Sequence, residues 1–438
     1  MTLLIISPDY ASHLYPLAAM GSVWREHGHR VVVATGRATA EIVAAFGYDH
    51  EPLQLSQGSN PGTIRAEEQP QGEDDALRGF FAATHGGMIE TLAFQARARL
   101  HDLMWEPVAT AGRVLDIIER VQPDEIIVDH LAFSARLALQ AAGVSHVDVV
   151  LGHPTALPLP AAGELYGYPP AWPDAFAPDP DELDELRELC REVSERFTEE
   201  WNAALHEIAP DRAPSPDAFA EHGDFLVFNY PAALMPADRA ALLPPHTCIG
   251  SSLRPEAPDA EVASWLEASD EPFVYVSFGS FLSVRGDVLA RVATALRDLG
   301  VRAAIAHGSS HPEALGEIPQ SWLVREFLPQ VTLLEHAAAA VTHGGNNSVT
   351  EALAFDVPLV VLPFSTDQFA GAAALERAGL GIALAPNTAT VSQLASAISA
   401  TLSGFGDRSA AAATIAEYQG AELAFQARRR HISAAHAR

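Results

Sequence analysis

Residues 1–36 read MTLLIISPDYASHLYPLAAMGSVWREHGHRVVVATG. An apolar run at 3–6, a polar turn, a helical stretch over about 15–27 and a second apolar run at 31–34 spell a β-α-β unit. A right-handed crossover makes its two strands parallel. The pattern returns at 125–128, about 132–142 and 147–151. Strands that are apolar along their whole length suit a parallel sheet covered on both faces.

A chain of 438 residues exceeds what one hydrophobic core usually serves, so two domains are expected. Prolines gather between 231 and 272 (Pro231, Pro236, Pro244, Pro245, Pro255, Pro258, Pro272) and mark a linker. A second α/β series follows, with strands expected at 273–277, 302–306, 322–325, 339–342, 359–362 and 381–384. The expected fold class is α/β, two doubly wound parallel-sheet domains facing a cleft, with ligands beyond the carboxyl ends of the strands. The divisions expected are a first domain at 1–245, a linker at 246–272, a second domain at 273–407 and a C-terminal helix within 408–438 that packs back on the first domain. Residues 54–75 and 152–180, the latter with eight prolines, read as loops. Leu183, Leu186, Leu189, Val193, Phe197 and Trp201 give an amphipathic helix over 181–207.

The net charge of −29 repels phosphate backbones and anionic lipid, which argues against nucleic acid or membrane as a standing partner. One bound diphosphate needs only a local cradle of N–H donors, so a nucleotide is still allowed. Cys190 and Cys248 stand in no metal or redox spacing and read as free thiols. The first residues lack a basic segment, and no apolar run approaches the ~20 residues needed to span a bilayer, so a cytoplasmic protein, monomer or homodimer, is expected.

Thr342-His343-Gly344-Gly345-Asn346-Asn347-Ser348 falls where a buried strand ends and a helix begins. Glycines allow close backbone approach, and a helix N-terminus offers unpaired N–H groups with positive partial charge. His343, Asn347 and Ser348 add side-chain donors; an ordinary helix cap would use the same residue types. Glu351 stands one turn beyond Asn347 and can accept two ribose hydroxyls. Asp367-Gln368 follow a strand end, where an acid and an amide can grip sugar hydroxyls. Phe327 and Gln330 offer a stacking ring and an amide, and Ser280 lies in a second glycine-containing turn.

The run FLPQVTLLEHAAAAVTHGGNNSVTEALAFDVPLVVLPFSTDQ, 327–368, resembles the signature of the UDP-glycosyltransferase superfamily, family 1 of the glycosyltransferases with the GT-B fold, in its bacterial natural-product branch. That resemblance implies roles. Phe327 stacks on the base with Gln330 nearby; Ser280, His343, Gly345, Asn346 (through its backbone N–H), Asn347 and Ser348 hold the diphosphate; Glu351 holds the ribose; Asp367 and Gln368 hold the hexose. The Asp-Gln pair favours a UDP-hexose over a TDP-deoxysugar. The first domain becomes the acceptor-binding one and the second the nucleotide-sugar-binding one.

Inverting transfer needs a base for the acceptor proton. Ser12-His13-Leu14-Tyr15-Pro16 resembles the family's Gly-His-x-x-Pro turn, making His13 the candidate, and Asp129 its orienting carboxylate. His130 is a rival partner, and His153 lines the acceptor pocket or faces solvent. Asp179-Pro-Asp181 reads as a helix cap rather than a metal motif, so no metal or cofactor is expected beyond the nucleotide-sugar co-substrate. The acceptor is expected to be a small molecule, with Phe80, Phe81, Tyr166, Tyr168 and Trp172 as candidate walls. Alternatives are a UDP-N-acetylglucosamine 2-epimerase-like enzyme, which needs no acceptor, and a non-catalytic nucleotide-binding auxiliary protein.

Overall fold

The computed structural model describes residues 1–62, 73–100, 103–404, 415 and 420–436. Two parallel sheets organise them. The first runs in the order β3 (Asp49–Pro52), β2 (Arg30–Thr35), β1 (Thr2–Ile6), β4 (Glu125–Asp129), β5 (Val147–Val150), β6 (Phe225–Phe228), β7 (His246–Cys248). The second runs β10 (Leu323–Arg325), β9 (Arg302–Ala306), β8 (Phe273–Ser277), β11 (Ala339–Thr342), β12 (Leu359–Val361), β13 (Gly381–Ala383). Each sheet reverses its winding once, between β1 and β4 and between β8 and β11. At those switch points the crossover helices leave on opposite faces, and a crevice opens beyond the strand ends. The registers put Ile6 beside Val128 and Thr342 beside Ser277, so the residues just past these four strands meet in pairs.

The central strands are buried on both faces, which is why they read as unbroken apolar runs. The edge strands differ. β3 is Asp-His-Glu-Pro and half exposed, a charged edge ending in proline, and carries no apolar signature at all. β6 is apolar but reaches its place only after the long excursion 151–224, so no β-α-β spacing announces it. That excursion holds the helix Pro180–Ile208, slightly longer than the 181–207 expected, begun by Asp179, whose carboxylate caps Asp181 N–H at 2.8 Å. Leu186, Val193, Phe197 and Trp201 are buried along it. Asp179 is thus a cap.

The stretch 246–272 is not simply a linker. It opens with β7, paired with β6 from Leu226↔His246 to Phe228↔Cys248, as the edge of the first sheet. Its prolines flank that strand instead of interrupting it. Further on, the helix Ala260–Glu267 is capped by Asp259, which also holds Arg325 of the second domain at 2.7 Å. The opening helix is Ala11–Glu26, starting four residues before the expected 15. The terminal helix is described over Ala421–His436; 405–414 and 416–419 lie outside the described residues. It lies on the first domain, with Phe425 edge-on to Trp24 at 5.1 Å and stacked on His27 at 4.1 Å. Residues 63–72 of the loop expected at 54–75 are likewise not described, and from Glu73–Gly86 the chain is helical. Cys190 and Cys248 are free, their thiols pushed up to about 11 and about 12 by burial. No described helix is long and apolar enough to cross a membrane.

Candidate active site

The carboxyl ends of both sheets open on one cavity of about 690 Å³. From the first sheet come His13, just past β1, and Asp129, the last residue of β4. The Nδ1–H of His13 donates to Asp129 Oδ2 at 2.8 Å, and the other Asp129 oxygen accepts Leu131 N–H at 2.8 Å. Asp129 is fully buried, whereas the His13 ring opens on the cavity. Burial works against a charge on His13, but the Asp129 charge, its hydrogen bond and the Asp367 charge outweigh it, so the imidazole pKa is raised above 6.5. The backbone around Asp129 is held from behind by a buried pair. Arg136 donates to Asp148 at 3.0 Å and to the carbonyl of His130 at 3.0 Å.

His130 is not the partner of His13. Its Nε2 faces the Ala156 carbonyl at 2.7 Å, and burial followed by Arg136 holds its pKa down to about 4. His153 neither lines the cavity nor faces solvent: it is buried against Tyr230, and its ring caps a short turn through Thr155.

From the second sheet, the loop after β11 delivers His343 and the N-terminus of the helix Asn346–Ala354. The His343 ring is wedged between two glycine α-carbons. A Cβ on Gly279 would stand 2.7 Å from Cε1, and one on Gly345 would stand 2.4 Å from Nε2. Gly279 also has a φ of +68, open to few other residues. Burial lowers the His343 pKa to about 4, so its ring is neutral at pH 7 and can meet an anion only through an N–H hydrogen bond, not by carrying charge. His343 Nδ1 and Asn347 Oδ1 are buried polar atoms without a hydrogen-bond partner, the kind of atom a ligand satisfies.

The two asparagines also reach across the cleft. Asn346 Nδ2 donates to the carbonyls of Leu151 (2.7 Å) and Asn229 (2.8 Å) in the first domain. Asn347 Nδ2 donates to the Ser12 carbonyl at 2.6 Å, one residue before His13. That carbonyl is available because Pro16, four residues on, has no N–H to give it. Ser280 accepts from Asn60 across the cleft at 3.0 Å, and the amide N–H of His153 donates to Asp367. The cleft is therefore closed by hydrogen bonds between the domains. Ser348 lies at 3.5 Å from Gln330 and lines the cavity with it.

Two expected contacts differ. Glu351 does not line the cavity: it is buried, with Arg254 at 2.9 Å on one carboxylate oxygen and Gln330 at 2.6 Å on the other. Burial raises its pKa against the pull of Arg254. The group that faces the cavity here is Arg254, stacked over Tyr15 at 5.2 Å and held also by Glu256 at 3.2 Å. Gln368 does line the cavity, yet its carboxamide oxygen accepts the N–H groups of Phe364 (3.0 Å) and Ser365 (3.1 Å), bracing the loop around it. Within that loop Thr366 holds a φ of +50, a strained conformation for a β-branched residue. Phe327 is 58% exposed at the cavity wall, a large ring open to stacking. Phe80, Tyr166 and Tyr168 also line the cavity, while Phe81 and Trp172 pack behind Phe80 and Tyr168. Among the described residues no group of three or more His, Cys, Asp or Glu stands together as a metal site.

Sequence reasoning missed Arg254 because it lies in the proline-rich stretch read as a spacer. Replacing it with Met leaves Glu351 buried without its cation. The expected cost is about 1.5–3 kcal/mol of stability, read as a lower urea midpoint; an unchanged midpoint refutes the pairing.

Residues 223–406 match the family described as UDP-glucoronosyl and UDP-glucosyl transferase. The NDP-glycosyltransferase YjiC of Bacillus subtilis (strain 168) is 32% identical over 139 residues, which are 32% of this chain and 36% of that one. The chain thus spans about a third of the length of the first curated relatives it matches. The 4'-demethylrebeccamycin synthase of Lentzea aerocolonigenes is 24% identical over 391 residues, 85% of each chain. Among solved structures, the spinosyn forosaminyltransferase SpnP superposes with a TM-score of 0.69 at 18% identity, covering 99% of both chains. The spinosyn rhamnosyltransferase SpnG complexed with thymidine diphosphate does so at 0.65 and 18%, covering 97% of this chain and 99% of that one. Likenesses at this identity establish the GT-B fold. The profile match shows that the segment 223–406 is similar to the UDP-glucoronosyl and UDP-glucosyl transferase family.

Proposed function

We propose that the protein is a glycosyltransferase that moves a hexosyl group, with inversion, from an NDP-sugar to a small-molecule acceptor of natural-product type. The observation that carries this reading is the opposition of two groups across one cavity. The His13–Asp129 pair stands at the first switch point, and a neutral His343 beside a helix N-terminus stands at the second.

With Nδ1–H given to Asp129, Nε2 of His13 keeps its lone pair towards the cavity and takes the acceptor hydroxyl proton. The acceptor oxygen bonds to the anomeric carbon from the face opposite the diphosphate. The carbon–oxygen bond to the diphosphate breaks with its electron pair, and that departure sets the inverted configuration. Developing charge on the leaving group is met by the amides at the start of Asn346–Ala354 and by the N–H of His343, a preorganised arrangement that needs no metal. Phe327 supports base stacking, and Asp367 with the remaining N–H of Gln368 supports a fully hydroxylated hexose, so UDP-hexose is the proposed donor.

The test is a mass-spectrometric screen of UDP- and TDP-sugars against pooled acceptors, with nucleotide release measured alongside. Product that requires both donor and acceptor is expected. Nucleotide release that needs no acceptor points to an epimerase-like reaction and sinks the proposal. A pH profile tests the base separately. His13 acts only when neutral and its pKa is raised, so the rate falls as pH drops through a value above 6.5. Asp129→Asn removes the main cause of that rise, which moves the acid limb to lower pH while lowering the plateau. An acid limb unmoved in Asp129→Asn excludes His13 as the titrating group.

A further inference from the structure

We propose that the acceptor is a flat, apolar molecule carrying a carboxylate, and that Arg99 receives that carboxylate; this rests on the acceptor-binding reading of the first domain. Arg99 ends the helix Met88–Arg99, lines the cavity, and is half-buried. It forms no hydrogen bond or ion pair among the described residues. The chain has 56 acidic side chains against 27 basic ones, so an arginine in a cavity without a carboxylate is out of keeping with its surroundings. Arg136, Arg239, Arg254 and Arg285 are all buried or nearly so, and each has its acid.

The guanidinium is also fixed in place. Its carbon stands 4.9 Å from the centroid of the Tyr166 ring, and Tyr166 is in turn stacked flat on the buried Phe219 at 3.9 Å and 9°. It also lies against Gly167, where a Cβ would come within 2.5 Å of a terminal nitrogen. Gly167 has a φ of +82, which glycine adopts without strain. The stack Phe219–Tyr166–Arg99 thus presents a planar, preorganised fork of N–H donors, the geometry that suits a carboxylate.

The rest of the cavity sets the orientation. Phe80, Phe94 and Tyr168 supply aromatic wall to the same cavity. The carboxylates of Asp129 and Asp367 repel an anionic group from the catalytic end. An acceptor with one acidic end is therefore turned with its acid on Arg99 and its hydroxyl towards His13.

The test is equilibrium binding, independent of turnover. Anthracene-2-carboxylate and anthracene-2-carboxamide are titrated, by ligand fluorescence, into the full-length protein and into Arg99→Gln and Arg99→Lys. The wild type is expected to bind the carboxylate on the order of tenfold more tightly than the amide, the fold-change for one charge-assisted hydrogen-bonded contact. Arg99→Gln is expected to abolish that preference and Arg99→Lys to keep part of it. Equal affinity in the wild type, a preference that survives in Arg99→Gln, or binding of neither probe overturns the proposal. Failure of the transferase reading shows elsewhere, as an absence of acceptor-dependent nucleotide release.

Discussion

His13→Ala is expected to lower the rate of sugar transfer by about 10²–10⁴-fold, the range for loss of a positioned general base. The ring faces the cavity and is tied on Nδ1 to a fully buried Asp129, which leaves Nε2 as the nitrogen placed to take the acceptor proton. His130, next to Asp129 in sequence, is turned to the Ala156 carbonyl and has its pKa held down to about 4. Donor affinity, by calorimetry, is expected to persist, because His13 belongs to the first sheet and the proposed diphosphate site to the second. His13→Gln serves as a second variant that can still hydrogen bond to Asp129, guarding against loss of fold. Transfer undiminished in both variants sinks the proposed base.

Gly345→Ala is expected to lower kcat/KM for the donor by about 10²-fold, since a displacement on the order of 1 Å at a positioned site costs that much. The argument is steric. The backbone at Gly345 (φ −60, ψ 140) is ordinary for any residue, so conformational strain does not enter. The new methyl would instead stand 2.4 Å from His343 Nε2 and 2.8 Å from Cε1, with Gly279 blocking retreat on the other side. Either the ring or the start of the helix must move, and both face the proposed diphosphate site. Gly371→Ala is the control: nothing lies within 4 Å of its added Cβ, and an alanine inside the helix Gln368–Arg377 adds about 0.5–1 kcal/mol. Donor kinetics equal in Gly345→Ala and the wild type refute the wedge.

How much of this was legible depended on where the physical signal lay. The central strands, buried on both faces, announced themselves as apolar runs, and with them came the two switch points. The run from Phe327 to Gln368 and the pair His13 and Asp129 were singled out by their resemblance to a family signature, and the structure brings residues of both to one cavity. β3 and β7 escaped because edge strands exchange apolar for polar residues, and the first shares that cost with a closing proline. Glu351 was found by spacing yet misread in place: its pairing with Arg254 is a contact across 97 residues, invisible to any local pattern. Arg99 escaped for the same reason, its significance lying in partners it lacks in space.

Pro16 leaves the Ser12 carbonyl to Asn347, so the position of the proposed base is set partly by a side chain from the opposite half of the molecule. The two halves are therefore not interchangeable parts. A hybrid assembled from two such proteins would need an amide at 347 matched to a carbonyl freed by proline at 16. Without that match, both halves could fold and bind their ligands while the imidazole stood out of register with the sugar.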